Sequence, residues 1–212
     1  MRVTVLGASG AIGRLVVQQL LDYGHEVTAL VRTPAKLALT HAHLAVVTGQ
    51  LSGQRCRRAG RERHRRSDQR ARPVDETVHD RPRGDRRNPR CREGHGGGGG
   101  TRFIGLATPA LADPQDRPHW KHKALPVMAG LMFPNALAEL KGMTAAVTDS
   151  DLDYTIARIT VPTNKPATGR IRSGFLGHDT IGSAMSRADI AAFLVSQLTD
   201  ARYRRAMPAI SN

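Results

Sequence analysis

Arg2-Val3-Thr4-Val5-Leu6 is an apolar, β-branched run of strand length. It breaks into Gly7-Ala8-Ser9-Gly10-Ala11-Ile12-Gly13 and continues with helical period through Tyr23. Glu26–Val31 reads as a second strand, Arg32–Leu37 as a turn and short helix, and Leu44–Val47 as a third strand. Further on, Phe103–Thr108 reads as a buried strand, and helical material runs from Trp120 to about Val147, divided by Pro126 and Pro134. Asp153–Arg158 is another strand and Arg170–Phe175 a short one, while Ser186 is placed to cap a helix over Arg187–Leu198. Strands alternating with helices in this way predict an α/β fold with a doubly wound parallel sheet.

The pattern stops between Ser52 and Gly100, where neither period of apolar residues is present. Ala59, Ala71, Val74 and Val78 are the only aliphatic side chains there, and the stretch ends in five glycines, Gly96 to Gly100. Its composition is that of a disordered, arginine-rich linker. A structureless insert of this length inside a compact sheet counts against the sequence as written. Fifteen Arg and no Lys suit GC-rich DNA translated out of frame. With third codon positions left free, a one-base shift permits two helices around a strand such as AVVIS, without changing the segment's length. The alternative is a true arginine-rich insert.

The formal charge of +14 on 212 residues would ordinarily suggest nucleic acid or an anionic surface. Its distribution argues otherwise, because the same segment also holds seven Asp or Glu and so carries +8 of the total. The segment has no interleaved aromatic residues and offers only nonspecific attraction to phosphates. No stretch approaches the ~20 apolar residues of a membrane span, and the start reads as a strand with no signal peptide, so a cytoplasmic protein is the expectation. No metal site is expected: Cys56 and Cys91 lack ligand spacing, and His119 and His122 beside Trp120 lack a third ligand.

Candidate chemistry begins at the glycines. Strand, glycine turn and helix in that order form the physical arrangement for holding a pyrophosphate at a helix N-terminus. Gly7 permits the tight turn, Gly10 lets the backbone approach the phosphates, and Gly13 lets the helix pack close to the strand. Ala8, Ser9, Ala11 and Ile12 complete the turn.

The parts flanking the arginine-rich stretch resemble the atypical short-chain dehydrogenase/reductase superfamily, in its NmrA-like and flavin/biliverdin-reductase-like NAD(P)H-binding branch. The resemblance is carried by Gly7–Gly13 with its G-x-x-G-x-x-G spacing, Ala29–Leu37, Arg102–Gly105, Asp151–Arg158 and Ser186–Ala191. It implies a Rossmann-like single domain over residues 1–212, with 109–147 and 159–185 forming the substrate-side cap. It also implies NADP(H) as cofactor. Arg32 stands where an NAD enzyme of this kind has Asp or Glu, and a cation there accommodates the 2′-phosphate of NADP. Lys36 is within reach of the same phosphate, although both residues also suit a solvated surface. Gln50 resembles an adenine-side residue, an assignment that loop polarity explains nearly as well.

Thr108 falls where the family has an active-site Ser or Thr, and Lys141 lies in the helical region of the family lysine. The Tyr-x-x-x-Lys pair itself is missing, since residue 137 is leucine and no tyrosine has a lysine four residues later. Hydride transfer to a flavin or quinone depends mainly on stacking against the nicotinamide, so the pair is dispensable there. In that reading Thr108–Ala110, the Trp120–Phe133 helices and Ile159–Pro162 line a pocket for a planar substrate. Two functions are therefore expected: an NADPH-dependent reductase of a small planar or carbonyl substrate, or a non-catalytic NADP(H)-sensing protein. The sequence is silent on oligomeric state.

Overall fold

The computed structural model describes residues 1–49, 102–117 and 134–212. Gln50, the arginine-rich stretch, the Trp120–Phe133 helices, His119 and His122 lie outside the described residues. Met1–Thr48 and Thr101–Asn212 belong to one compact unit.

Three parallel strands open the chain: β1 (Arg2–Leu6), β2 (Glu26–Val31) and β3 (Leu44–Thr48), with β2 in the centre. Helix α1 (Ala11–Asp22) crosses from β1 to β2, and a single 3₁₀ turn, Pro34–Lys36, follows β2. Side chains alternate across a strand, and in β2 this buries Val27, Ala29 and Val31 on one face. That face meets Val17, Leu20 and Leu21 of α1, spaced to fall on one side of the helix. Gly24, with φ of +74°, makes the left-handed turn that ends the helix; its N–H donates to the Leu21 carbonyl at 2.9 Å.

A second sheet runs in the order β4 (Arg102–Ala107), β5 (Asp153–Ile159), β9 (Ala209–Ser211) and β7 (Arg172–Gly174). Helix α2 (Pro134–Thr148) lies between β4 and β5 in sequence, and Leu137, Leu140 and Val147 pack it against Ala107, Leu111, Ile156 and Met207. A two-stranded parallel pair, β6 (Val161–Thr163) and β8 (Ala184–Ser186), leads into α3 (Arg187–Ser196). Val195 of α3 joins the core around α1, and the Gln19 amide donates to the Ala188 carbonyl at 3.4 Å.

These elements agree with the α/β expectation, with three differences. Among the described residues the strands fall into separate sheets, and no strand joins β1 to β4. Strand β4 starts one residue earlier and is half-buried over Arg102–Leu106, with only Ala107 fully buried; among the described residues it pairs only with β5. Strands β6, β8 and β9 have only three residues each, too few for a period to register. Of these, β9 joins β5 in parallel and β7 in antiparallel fashion.

The expected cap of α3 is present, since the Ser186 hydroxyl accepts from the Asp189 N–H at 3.0 Å. Asp189 itself is buried, and its carboxylate gathers five donor contacts. These come from the Thr168 N–H (2.8 Å) and hydroxyl (3.2 Å), the Gly169 N–H (3.0 Å), the Ser186 hydroxyl (2.8 Å) and the Asn212 amide (2.8 Å). Burial alone would raise its pKa, but the Thr168, Ser186, Asn212 and Gly169 donors outweigh burial and lower it from 3.8 to about 2. A carboxyl depressed on folding stabilises the protein above its unfolded pKa and loses that contribution as pH falls through the folded value. Acid titration of unfolding should therefore show about 2 kcal/mol lost between about pH 4 and pH 2. In Asp189→Asn that step should flatten and stability at pH 7 should drop.

Candidate functional site

The turn from β1 to α1 has the geometry that its glycines require. Gly7 takes φ of +71°, a region that costs an L side chain roughly 1–2 kcal/mol. Its carbonyl accepts the Gly10 N–H at 2.9 Å, closing the turn. A Cβ on Gly13 would overlap that same carbonyl oxygen and come within 3.0 Å of the Ala8 Cα. A Cβ on Gly10 would stand 3.2 Å from it. Ala8 is fully buried beneath the turn, while Gly7, Gly10 and Ala11 are exposed and Ser9, Ile12 and Gly13 half-buried.

Gly10 is the N-cap of α1 and has no side chain to occupy the helix's first N–H groups. The first turn also carries no acidic residue, so its positive end is left available to an anion. The residues present thus fit a pyrophosphate: a helix N-terminus faces outward, and the missing Cβ atoms leave room for close approach.

Parallel pairing extends the site sideways. Leu6 lies level with Leu30, so Gly7 and Val31 follow at the same end of the sheet and Arg32 comes one residue later. Adjacent strands lie about 4.8 Å apart. Arg32 and Lys36 are both exposed, and neither has an ion-pair partner among the described residues. Ile12, in the first turn of α1, packs on the same apolar cluster as Leu106 and Ile159, near the C-terminal ends of β4 and β5. The glycine turn and the C-terminal ends of both sheets therefore border one region, where ligands of open α/β sheets bind.

Thr108 follows β4 directly and is exposed; its carbonyl accepts the Leu111 N–H at 3.1 Å. Lys141 lies on α2, exposed at the edge of the stripe through Leu137 and Leu140, and no hydrogen bond links it to Thr108. Tyr203 is buried, with its hydroxyl donating to the Ser173 hydroxyl at 3.0 Å.

An ion pair to a buried arginine beside this region escaped the sequence reading. Arg158, level with Ala107 on β5, is fully buried and grips Asp116 with both terminal nitrogens, at 2.5 and 2.7 Å. Burial opposes charge on Asp116, but the Arg158 bonds, the Asp113 and Leu176 N–H groups and the Arg158 charge together hold its carboxyl below 3.8. The available signal was an arginine one residue from the end of Tyr154-Thr155-Ile156-Ala157-Arg158-Ile159, a strand otherwise apolar enough to be buried.

Gly13→Ala should be the most damaging single methyl in the turn. It should destabilise the protein by about 1–3 kcal/mol in thermal or denaturant unfolding and weaken any nucleotide held at the turn. Gly24→Ala, at a glycine as left-handed as Gly7 but remote from the turn, should cost stability and leave nucleotide binding intact.

Residues 7–59 and 98–201 match the NAD(P)H-binding family. No curated protein sequence matches the chain. Among solved structures it is similar to the oxidoreductase ylbE from Lactococcus lactis, at 15% identity and a TM-score of 0.64, covering 100% of this chain and 91% of that one. It is also similar to a short-chain dehydrogenase/reductase from Veillonella parvula in complex with NADP, at 18% identity, a TM-score of 0.61 and coverages of 100% and 94%. A Rossmann-fold NAD(P)-binding protein from Shigella flexneri gives 18% identity, a TM-score of 0.58 and coverages of 100% and 93%. The fold is Rossmann-like, and the chain belongs to the NAD(P)H-binding family.

Proposed function

We propose that the protein is an NADPH-dependent reductase acting on a small planar or carbonyl substrate of the flavin or quinone kind. The observation that carries this reading is the register of β1 and β2, which brings the anion-ready glycine turn and Arg32, without an ion-pair partner among the described residues, to the same end of one sheet. In the proposed site Gly7–Gly13 hold the pyrophosphate through the backbone, Arg32 takes the 2′-phosphate and Lys36 adds charge beside it. The Veillonella parvula protein with its NADP supports the choice of a phosphorylated cofactor. The bound dinucleotide supplies hydride. This chain's part is to orient the nicotinamide towards the region between Thr108 and Ile159 and to leave a face open for a planar acceptor. Thr108 is assigned to hydrogen-bond that acceptor, and Lys141 to contact the cofactor ribose from α2.

A second reading, an NADP(H)-binding sensor without turnover, is favoured by one specific observation: Leu137 stands four residues before Lys141, where the proton-donating tyrosine is missing. NADPH oxidation with a panel of flavins and quinones separates the two. Turnover supports the reductase, whereas binding without turnover supports the sensor. Arg32→Ala should weaken NADPH by about tenfold or more, the worth of one or two charge-assisted hydrogen bonds, while NADH binding changes little. Equal losses for both cofactors would overturn the assignment of Arg32.

The residues between the two matched segments bear on the same function. We infer that residues 52–100 are read out of frame, a reading supported by the family match, which stops at residue 59 and resumes at 98. The coding DNA should carry an extra base near codon 52 and a compensating loss near codon 100. Restoring the frame should raise the thermal shift produced by NADPH over that of the chain as written. An uninterrupted frame in the DNA would overturn the idea.

A further inference from the structure

Two carboxylates bind three separate loops beside β4 and β5 into one assembly. The loop after β4 turns back at Asp113, whose carboxylate accepts the Gln115 N–H at 2.8 Å and the Met207 N–H, just before β9, at 2.7 Å. Three residues later Asp116 accepts four hydrogen bonds. Oδ2 takes the Asp113 N–H at 2.9 Å and the first Arg158 nitrogen, and Oδ1 takes the second Arg158 nitrogen and the Leu176 N–H at 2.9 Å. Arg158 also donates to the Leu111 carbonyl at 2.9 Å.

The contact with the loop after β7 is reciprocal, since the Arg117 N–H donates back to the Leu176 carbonyl at 2.9 Å. That contact requires the next residue to be glycine. Gly177 has φ of +78°, and a Cβ on it would overlap the Arg117 carbonyl oxygen. The second loop closes on itself through Asp179, whose carboxylate accepts the Phe175 N–H at 2.8 Å.

The position of this assembly gives it a use. Thr108 begins the first loop, and Arg158 is level with Ala107, the last residue of β4. Phe175 of the second loop packs on the same cluster as Ile12 of the glycine turn. The geometry points to Asp116 and Arg158 as a positioning pair that latches the 109–117 and 175–179 loops together at the substrate side of the crevice. A planar fork on a carboxylate fixes direction as well as distance, which a lysine would not do. A fully buried arginine left without its carboxylate would be strongly unfavourable, so the loops are held in one arrangement. The role in placing substrate rests on the reductase reading; the latch between the loops does not.

Backbone hydrogen exchange, read by peptide mass spectrometry on the full chain, tests the latch directly. Asp116→Asn should lose protection in 109–117 and 175–179 together, by about tenfold, with peptides from 2–31 unchanged. Gly177→Ala breaks the reciprocal contact without touching either charge and should deprotect the same two loops; it also serves if Asp116→Asn fails to fold. Loss in one loop alone, or equal loss along the whole chain, would overturn the pairing. In NADPH oxidation with menadione, Arg158→Lys should raise the quinone KM more than it lowers kcat, with NADPH affinity unchanged. A variant that weakens NADPH and menadione alike would remove the positioning role. If the unsubstituted protein binds NADPH without reducing menadione while both loops still deprotect together, the reductase reading fails and the latch stands.

Discussion

The approach of Gly13 to the Gly7 carbonyl is the contact on which the nucleotide half depends. It lets α1 start directly behind β1, so the helix N-terminus lies at the C-terminal end of the strand, with Gly10 and Ala11 exposed. A single methyl at Gly13 would push the helix away from Ala8, which is fully buried in that turn. The same displacement would disturb Val17, Leu20 and Leu21, which fill the space between α1 and β2. Binding geometry and core packing are thus one constraint here. A dense core cannot yield at one point without strain at another.

The other half of the unit is organised by buried polar groups more than by apolar periodicity. Strand β5 carries Thr155 and Arg158, both fully buried, between apolar neighbours. The Thr155 hydroxyl donates to the Tyr203 carbonyl at 2.7 Å and accepts from Arg102 at 2.7 Å, while Arg102 also reaches the Gln197 carbonyl at the end of α3. Asp189 performs a similar task near the end of β8, tying Thr168, Gly169, Ser186 and Asn212 together. Each of these groups would be costly if left without partners, so the bonds they make constrain the loops around them. Apolar packing brings the elements together, and these polar sets fix how the loops between them lie.

Legibility in the sequence followed the range of the interactions. The strand–turn–helix at the start, the short helical turn after β2 and the Ser186 cap of α3 depend on residues a few positions apart, and each was found where its residues stand. Arg32 and Lys36 were readable as candidates because their place follows from the end of β2. The buried pair was hidden because Arg158 and Asp116 are 42 residues apart and neither belongs to a repeating pattern. Strand β9 was hidden for a related reason: three residues satisfy no period, and its place is set by partners on β5 and β7.

Local patterns were enough for the class of fold, the glycine turn and the family, because glycine spacing and apolar period are local and few conformations satisfy them. Only the folded chain shows the register that sets the end of β2 beside the glycine turn, the joining of two distant loops by Asp116, and the cluster shared by Ile12, Leu106, Ile159 and Phe175. Those facts concern which surfaces meet. The directions of hydrogen bonds and the register of strands settle that only once the chain has closed on itself.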